Sequence, residues 1–258
     1  MKYITSQIKN NSIICAIPHS SIKIPQQFRK SFTLNNQQLS TEASLMSDLY
    51  TEALYSKLRK KCNAITSNIC RLVVDVERFV DDNDEPMSKV GMGVTYTRTS
   101  DQRVLRTVSK KQKKYILDKI YYPYHKKLNS LTERALKKYE KCLIIDCHSF
   151  PNEPRCYEPD QKSPRPDICI GYDAFHVDID FVKKITKEFR NCGYTVKHNT
   201  PFKESIVPLK YYKKDKNVKS VMIEINRKLY MNEINFKKIS NFTKVQNDIA
   251  KVIFKAIS

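Results

Sequence analysis

Short, unbroken apolar runs recur along the chain, and each stops abruptly at polar residues. Ile13 to Ile17 (I-I-C-A-I) ends at Pro18, His19, Ser20 and Ser21, and Cys142 to Ile145 (C-L-I-I) ends at Asp146, Cys147, His148 and Ser149. Runs of this kind read as strands buried on both faces, as in the central sheet of an α/β protein. Further strands are expected at 71–79 (R-L-V-V-D-V-E-R-F), 167–171, 194–198 and 220–227. Helical spacing fills the intervals. Leu45, Leu49, Leu54 and Leu58 predict a helix over 39–61, and Ile116, Ile120, Tyr124, Leu128 and Leu131 predict one over 110–140, kinked or divided at Pro123. Phe181, Ile185 and Phe189 mark a helix over 179–192 that Gly193 stops, and a last helix is expected over 232–257. No internal repeat or flexible linker divides the chain, so residues 1–258 are read as one α/β domain.

Open α/β sheets bind ligands outside the C-terminal ends of their strands. The chain has five histidines, and two of them, His19 and His148, stand directly after buried-strand patterns. A single strand-end histidine is usually a packing residue, but two delivered to one sheet edge are half of a zinc site. A third feature is Glu224 in S-V-M-I-E-I-N-R. Strand alternation turns Val221, Ile223 and Ile225 to one face and Met222, Glu224 and Asn226 to the other. A carboxylate on such a strand is rarely tolerated unless it is paired or catalytic.

Composition narrows the classes. No stretch approaches the roughly 18 apolar residues of a membrane span, and residues 1–10 lack the apolar core of a signal peptide, so a cytoplasmic protein without a membrane partner is expected. The eight cysteines show no C-x-x-C pair or regular spacing, which suits reduced, buried thiols. The formal charge of +20 raises the possibility of a nucleic-acid partner. The lysines, however, are spread over several helices (110–114, 137–138, 183–184), with no Arg-rich tail or zinc finger. Nucleic acid is therefore not the expected partner. No motif specifies an oligomeric state.

Six segments, taken in order, carry a resemblance. They are P-H-S-S (Pro18 to Ser21), V-D-V-E-R-F (Val74 to Phe79), Y-P-Y-H-K-K-L (Tyr122 to Leu128), I-D-C-H-S-F-P (Ile145 to Pro151), R-P-D-I-C-I-G (Arg165 to Gly171) and I-E-I-N-R-K-L-Y-M (Ile223 to Met231). The ordered set resembles N-formylglutamate amidohydrolase. That resemblance implies a mixed, mostly parallel sheet flanked by helices, similar to the zinc-dependent exopeptidases of the carboxypeptidase type. It implies hydrolysis of an N-acyl amide of an acidic amino acid, with N-formyl-L-glutamate and water giving formate and L-glutamate.

The resemblance also implies roles. His19 and His148 would hold one Zn²⁺ ion. Carboxypeptidase-like relatives carry a Glu ligand three places after the first His, where this chain has Ile22, so the third ligand comes from elsewhere: Asp48, with Glu77 as its competitor. Glu224 would be the general base, and Arg78 would hold the developing oxyanion or a substrate carboxylate. Arg227, Arg165, His125 and Ser149 complete the expected substrate contacts. Two departures bear on these roles: Lys203, Glu204 and Ser205 replace a small Ser-Gly turn, and Glu77 stands where Asn is frequent. Two other classes are compatible with the same residues, a hydrolase of peptides or peptide-like amides and a catalytically degenerate metal-binding interaction protein.

Overall fold

The apolar runs assemble into one seven-stranded sheet in the computed structural model, which describes residues 2–257. The strands are β1 (Ile4–Gln7), β2 (Ile13–Ile17), β3 (Asn63–Ser67), β4 (Cys142–Phe150), β5 (Ile168–Gly171), β6 (Val196–His198) and β7 (Val218–Asn226), in the order β1-β3-β2-β4-β7-β5-β6. β3, β2, β4 and β7 run parallel; β1 pairs antiparallel with β3 at one edge, and β5 pairs antiparallel with β7 and carries β6 parallel to itself. The expected mixed, mostly parallel sheet is the one observed.

Alternation along the central strands supplies two cores. Cys15, Ile17, Ile145, Cys147, Val221 and Ile223 face α4 (Ser56–Lys61), α7 (Ile179–Asn191) and α8 (Phe242–Ile257), while Ile14, Ala16, Ile144 and Val218 face α6 (Tyr122–Tyr139) through Tyr124, Leu128, Leu131 and Ala135. A third cluster, including Leu39, Leu72, Val73, Met92, Tyr96 and Ile116, lies under the irregular segments. The cysteines are free thiols, mostly buried, as their spacing implies. Among the described residues no helix is long and apolar enough to cross a membrane.

Several elements depart from the periodicity reading, for local reasons. The helix expected over 39–61 is three: α2 (Asn36–Met46), α3 (Thr51–Leu54) and α4, following the one-turn α1 (Gln26–Arg29). Ser47 and Asp48 are weak helix residues that compete for backbone hydrogen bonds, and Tyr50 turns the chain through a left-handed conformation at φ 69°. The apolar segment 71–79 is a buried turn, not a strand. Its carbonyls are taken up by side chains instead of a ladder: Arg106 donates to Leu72 O and Val73 O, each at 2.7 Å, and His125 Nε2 lies 2.8 Å from Val76 O.

The long helical region divides as expected, but the break precedes Pro123. α5 (Lys110–Ile116) passes through a wide turn at Leu117–Tyr121 into α6, which leaves the proline in the first turn, where its missing N–H is no loss. The last helix begins at Phe242 rather than 232, because Asn232 Oδ1 accepts from the N–H groups of Ile234 and Asn235 and holds a turn there.

Candidate active site

Three parallel neighbours, β2, β4 and β7, end side by side, and the polar chemistry gathers at their C-terminal ends. In the β4–β7 ladder His148 stands opposite Glu224 and Asp146 opposite Met222. Alternation puts these four side chains on the α6 face, since Ile145, Cys147, Val221 and Ile223 occupy the opposite core. His19 follows β2 directly, and its ring centroid lies 5.1 Å from that of His148.

Asp48 arrives from the break between α2 and α3, tied down by its backbone N–H donating to His19 O at 2.9 Å. Its Oδ2 is 3.0 Å from His148 Nδ1 and 3.7 Å from His19 Nδ1. One ligand atom from each of His19, Asp48 and His148 lies within 4.8 Å of the others, and all three residues are buried. Two imidazoles and a carboxylate so placed can hold a metal ion.

The far ring nitrogens are occupied. His19 Nε2 is 2.8 Å from Asp75 Oδ1, and His148 Nε2 is 2.9 Å from Asp146 Oδ1. A carboxylate behind each ring fixes its orientation and leaves Nδ1 as the inward donor. His19 Nδ1 is buried and has no hydrogen-bond partner among the described residues. Glu77 approaches from the other side, its Oε2 3.1 Å from His148 Nε2 and 3.7 Å from His19 Nδ1. With Asp146 and His148 it forms a second compact trio that shares His148.

Charge follows from this packing. Burial works against a proton on His148, but the Asp146 and Glu77 carboxylates outweigh it and hold its pKa well above the ordinary value. For His19, burial and Arg71 oppose the proton while Asp75 and Asp48 favour it, with a net rise. Burial alone would raise Asp48; the hydrogen bonds and charges of His148 and His19 reverse this and hold it low. Glu77 moves the opposite way, raised by burial and by Asp146. The anionic field that raises the pKa of both imidazoles is one a divalent cation would satisfy. Together with the unpartnered His19 Nδ1, it makes the donor set fit a metal.

In front of this cluster lies a cavity of about 450 Å³. Glu224 lines it, pushed up to about 8 by burial, with Oε2 lacking a partner among the described residues. Arg78 lines it too, its Nε 3.8 Å from Asp75 and 3.9 Å from Glu85. Arg227 also faces the cavity while it positions Asp48, donating to Asp48 Oδ1 at 3.2 Å and to Leu45 O at 2.8 Å. Ser149 lies at the wall, where its Oγ accepts from the Tyr230 hydroxyl at 2.8 Å.

Two residues expected to touch substrate stand elsewhere. His125 packs against Tyr121 at 4.3 Å between ring centroids and secures the Val76 carbonyl; burial lowers its pKa, so a neutral ring donates that bond. Arg165 is buried in the 151–166 loop, paired with Glu158 and donating to Pro151 O at 3.1 Å. Neither is among the residues lining the cavity.

The carboxylates behind the rings, Asp75 and Asp146, carried no expected role. Asp146 was legible in principle, because it lies two positions before His148 on one strand and so shares its face. Asp75 had no such signal, since its placement depends on a turn where periodicity suggests a strand. It is fully buried, accepting from Arg71 at 2.7 Å and from the Tyr96 hydroxyl at 2.8 Å.

A sequence model of the N-formylglutamate amidohydrolase family matches residues 11–231. Among solved structures, an N-formylglutamate amidohydrolase from Ralstonia eutropha superposes with a TM-score of 0.85 at 21% identity, covering 100% of this chain and 98% of that one. A gene product of Agrobacterium tumefaciens gives 0.72 at 18% identity, covering 100% and 95%. At these identities the likeness to the two structures is one of fold. A search of curated proteins gives no match.

Proposed function

The chain belongs to the N-formylglutamate amidohydrolase family, and we propose that it is a single-domain, zinc-dependent enzyme cleaving the N-formyl amide of L-glutamate or a close analogue. Hydrolysis of amide C–N bonds is the activity of the family; the metal, the acyl substrate and the residue roles are our reading.

One observation carries it. His19 Nδ1 is buried without a hydrogen-bond partner among the described residues and lies 3.7 Å from the Asp48 carboxylate, while a carboxylate holds the far side of each ring. We assign His19, Asp48 and His148 as the protein ligands, leaving a position open, as in catalytic zinc sites. Glu77 stands as close to His19 Nδ1 as Asp48 does, each at 3.7 Å, but it meets His148 at Nε2, the nitrogen already backed by Asp146, so we rank it behind Asp48. When bound, zinc supplies Lewis acidity that acidifies water and polarises the scissile carbonyl.

The other steps belong to the chain. Glu224 sits beside His148 in the ladder and lines the cavity, where its carboxylate can take a proton from the attacking water and return it to the leaving nitrogen. The C–N bond breaks as that nitrogen is protonated, giving formate and the free amine. Arg78 lines the cavity with a buried Nε that has no hydrogen-bond partner among the described residues, and it is placed to stabilise negative charge on the carbonyl oxygen. Arg227 keeps Asp48 oriented. An anionic substrate suits a strongly basic protein through electrostatic steering.

Purified protein should carry about one zinc per chain and release formate from N-formyl-L-glutamate. Chelation should stop release, and added zinc should restore it. Full activity in metal-free protein would remove zinc from the reading. Turnover of short peptides with none of N-formyl-L-glutamate would move the substrate.

A further inference from the structure

The cavity wall holds more positive charge than the chemistry at its floor uses. Five cations line it: Arg71, Arg78, Arg155, Lys203 and Arg227. Arg71 is committed to Asp75 Oδ2 at 2.7 Å and Arg227 to Asp48, and Arg78 leans on Asp75. Arg155 and Lys203 are different. Neither side chain makes an ion pair or hydrogen bond with any described residue, yet Arg155 Nε is buried. Arg155 lines the cavity, and a desolvated guanidinium N–H without an acceptor is a standing cost to the free protein.

Two loops present these cations, and the loops are locked together. Arg155 lies on the 151–166 loop after β4, and Lys203 lies on the segment after β6. Arg165 staples the first loop through Glu158, Pro151 O and Asp160 O. Its guanidinium also stands over the rings of Phe150 and Phe202, 5.9 and 5.6 Å from their centroids. Gly171 on β5 lets the second segment lie flat, since a Cβ there would meet Glu204 O at 2.4 Å. The wall is thus built rather than draped, and its two free cations are not bonded to any member of the ligand cluster.

We propose that Arg155, assisted by Lys203, is the subsite for a second carboxylate of the substrate, remote from the scissile amide, and so selects N-acyl dicarboxylic over neutral amino acids. This rests on the amidohydrolase reading of the cavity. Arg155 can meet a carboxylate with two parallel N–H bonds in a partly desolvated setting. Lys203 is exposed and contributes mainly through longer-range attraction that salt screens.

The test compares ligands that differ only in that charge. Binding of glutarate and of its monoamide, glutaramate, is measured by calorimetry on the zinc-loaded protein. Turnover of N-formyl-L-glutamate and N-formyl-L-glutamine is measured in parallel. Wild type should prefer the dicarboxylate by about 10–100-fold, the range of a charge-assisted hydrogen bond. Arg155→Ala should remove most of that preference, mainly through KM, with the neutral ligand unaffected, and Arg155→Lys should restore part of it. Lys203→Met should cost only a few-fold, and less at high salt. No preference in wild type, or a preference that survives in Arg155→Ala, overturns the assignment. A binding preference that Arg155→Ala abolishes, in a protein that turns over neither formyl compound, would sink the N-formyl substrate reading and leave the dicarboxylate subsite standing.

Discussion

At the ends of β4 and β7, His148, Asp146 and Glu224 are positioned by the sheet itself: a ladder nine residue pairs long sets which residue faces which. Asp48, Asp75, Glu77 and Arg78 reach the same point from 47–50 and 71–79, where no ladder exists. There the backbone is held by side chains. Arg106 satisfies the carbonyls of Leu72, Val73 and Tyr96, His125 satisfies Val76, and Arg227 bridges Leu45 to Asp48. A ladder distributes placement over many backbone hydrogen bonds, so one side chain on it can change without moving its neighbours. A turn held by single residues has no such reserve. Substitutions on the strands should therefore read out as chemistry, and substitutions around the turns as stability.

The largest effect should come from His148→Ala. It removes a proposed ligand but no sheet hydrogen bond, so zinc and activity should be lost together while the far-ultraviolet circular dichroism stays native. Loss of the folded signal would show that the strand end is less autonomous than its ladder suggests.

Glu224→Gln sharpens the same side of the comparison. Volume and register are kept and only the proton is lost, so kcat should fall about 10²–10⁴-fold, the usual contribution of a positioned acid/base. Zinc content and KM should change little. If this variant loses metal as readily as His148→Ala, Glu224 is a ligand and the division of roles with Asp48 is wrong.

Arg106→Met addresses the turns. The guanidinium is almost fully buried without a carboxylate partner among the described residues, and burial pushes its pKa down to about 9. Its removal relieves that strain but leaves three carbonyls without donors. Each unmet group costs about 1–3 kcal/mol, so a net loss of about 2–4 kcal/mol is expected, seen as a lower denaturant midpoint. Wild-type stability here would mean that the 71–79 turn holds itself.

The smallest effect concerns His125. Burial lowers its folded pKa, whereas the unfolded ring titrates near about 6.5. As pH falls through that value the unfolded chain takes up a proton that the folded chain refuses, so stability is full above it and declines below. His125→Gln should flatten that decline, read from denaturant midpoints at about pH 8 and pH 5. An unchanged slope would place the titrating group elsewhere.

What the sequence determined was the central strands and the helix faces whose local period the fold kept. The runs at 13–17, 142–145 and 220–227 read as buried strands and are strands, and they bring His19 and His148 to one edge, although β4 continues past the apolar run through His148 to Phe150. Alternation alone turned Glu224 towards the cavity. What the tertiary structure decided lay where local preference is weak or overruled. The β-branched run at 71–79 has strand propensity, yet Arg106 and His125, distant in sequence, offered its carbonyls partners that no neighbouring strand did. The apolar spacing of 39–61 continues across Asp48, yet the contact of its N–H with His19 O and the left-handed Tyr50 break the helix there. The place of Asp75 behind His19 depends on such a long-range contact, whereas Arg165 is held away from the cavity by partners within its own loop. Periodicity records which side of an element is buried; it carries no record of which remote side chain will satisfy a backbone carbonyl, and in this protein those pairings set half of the site.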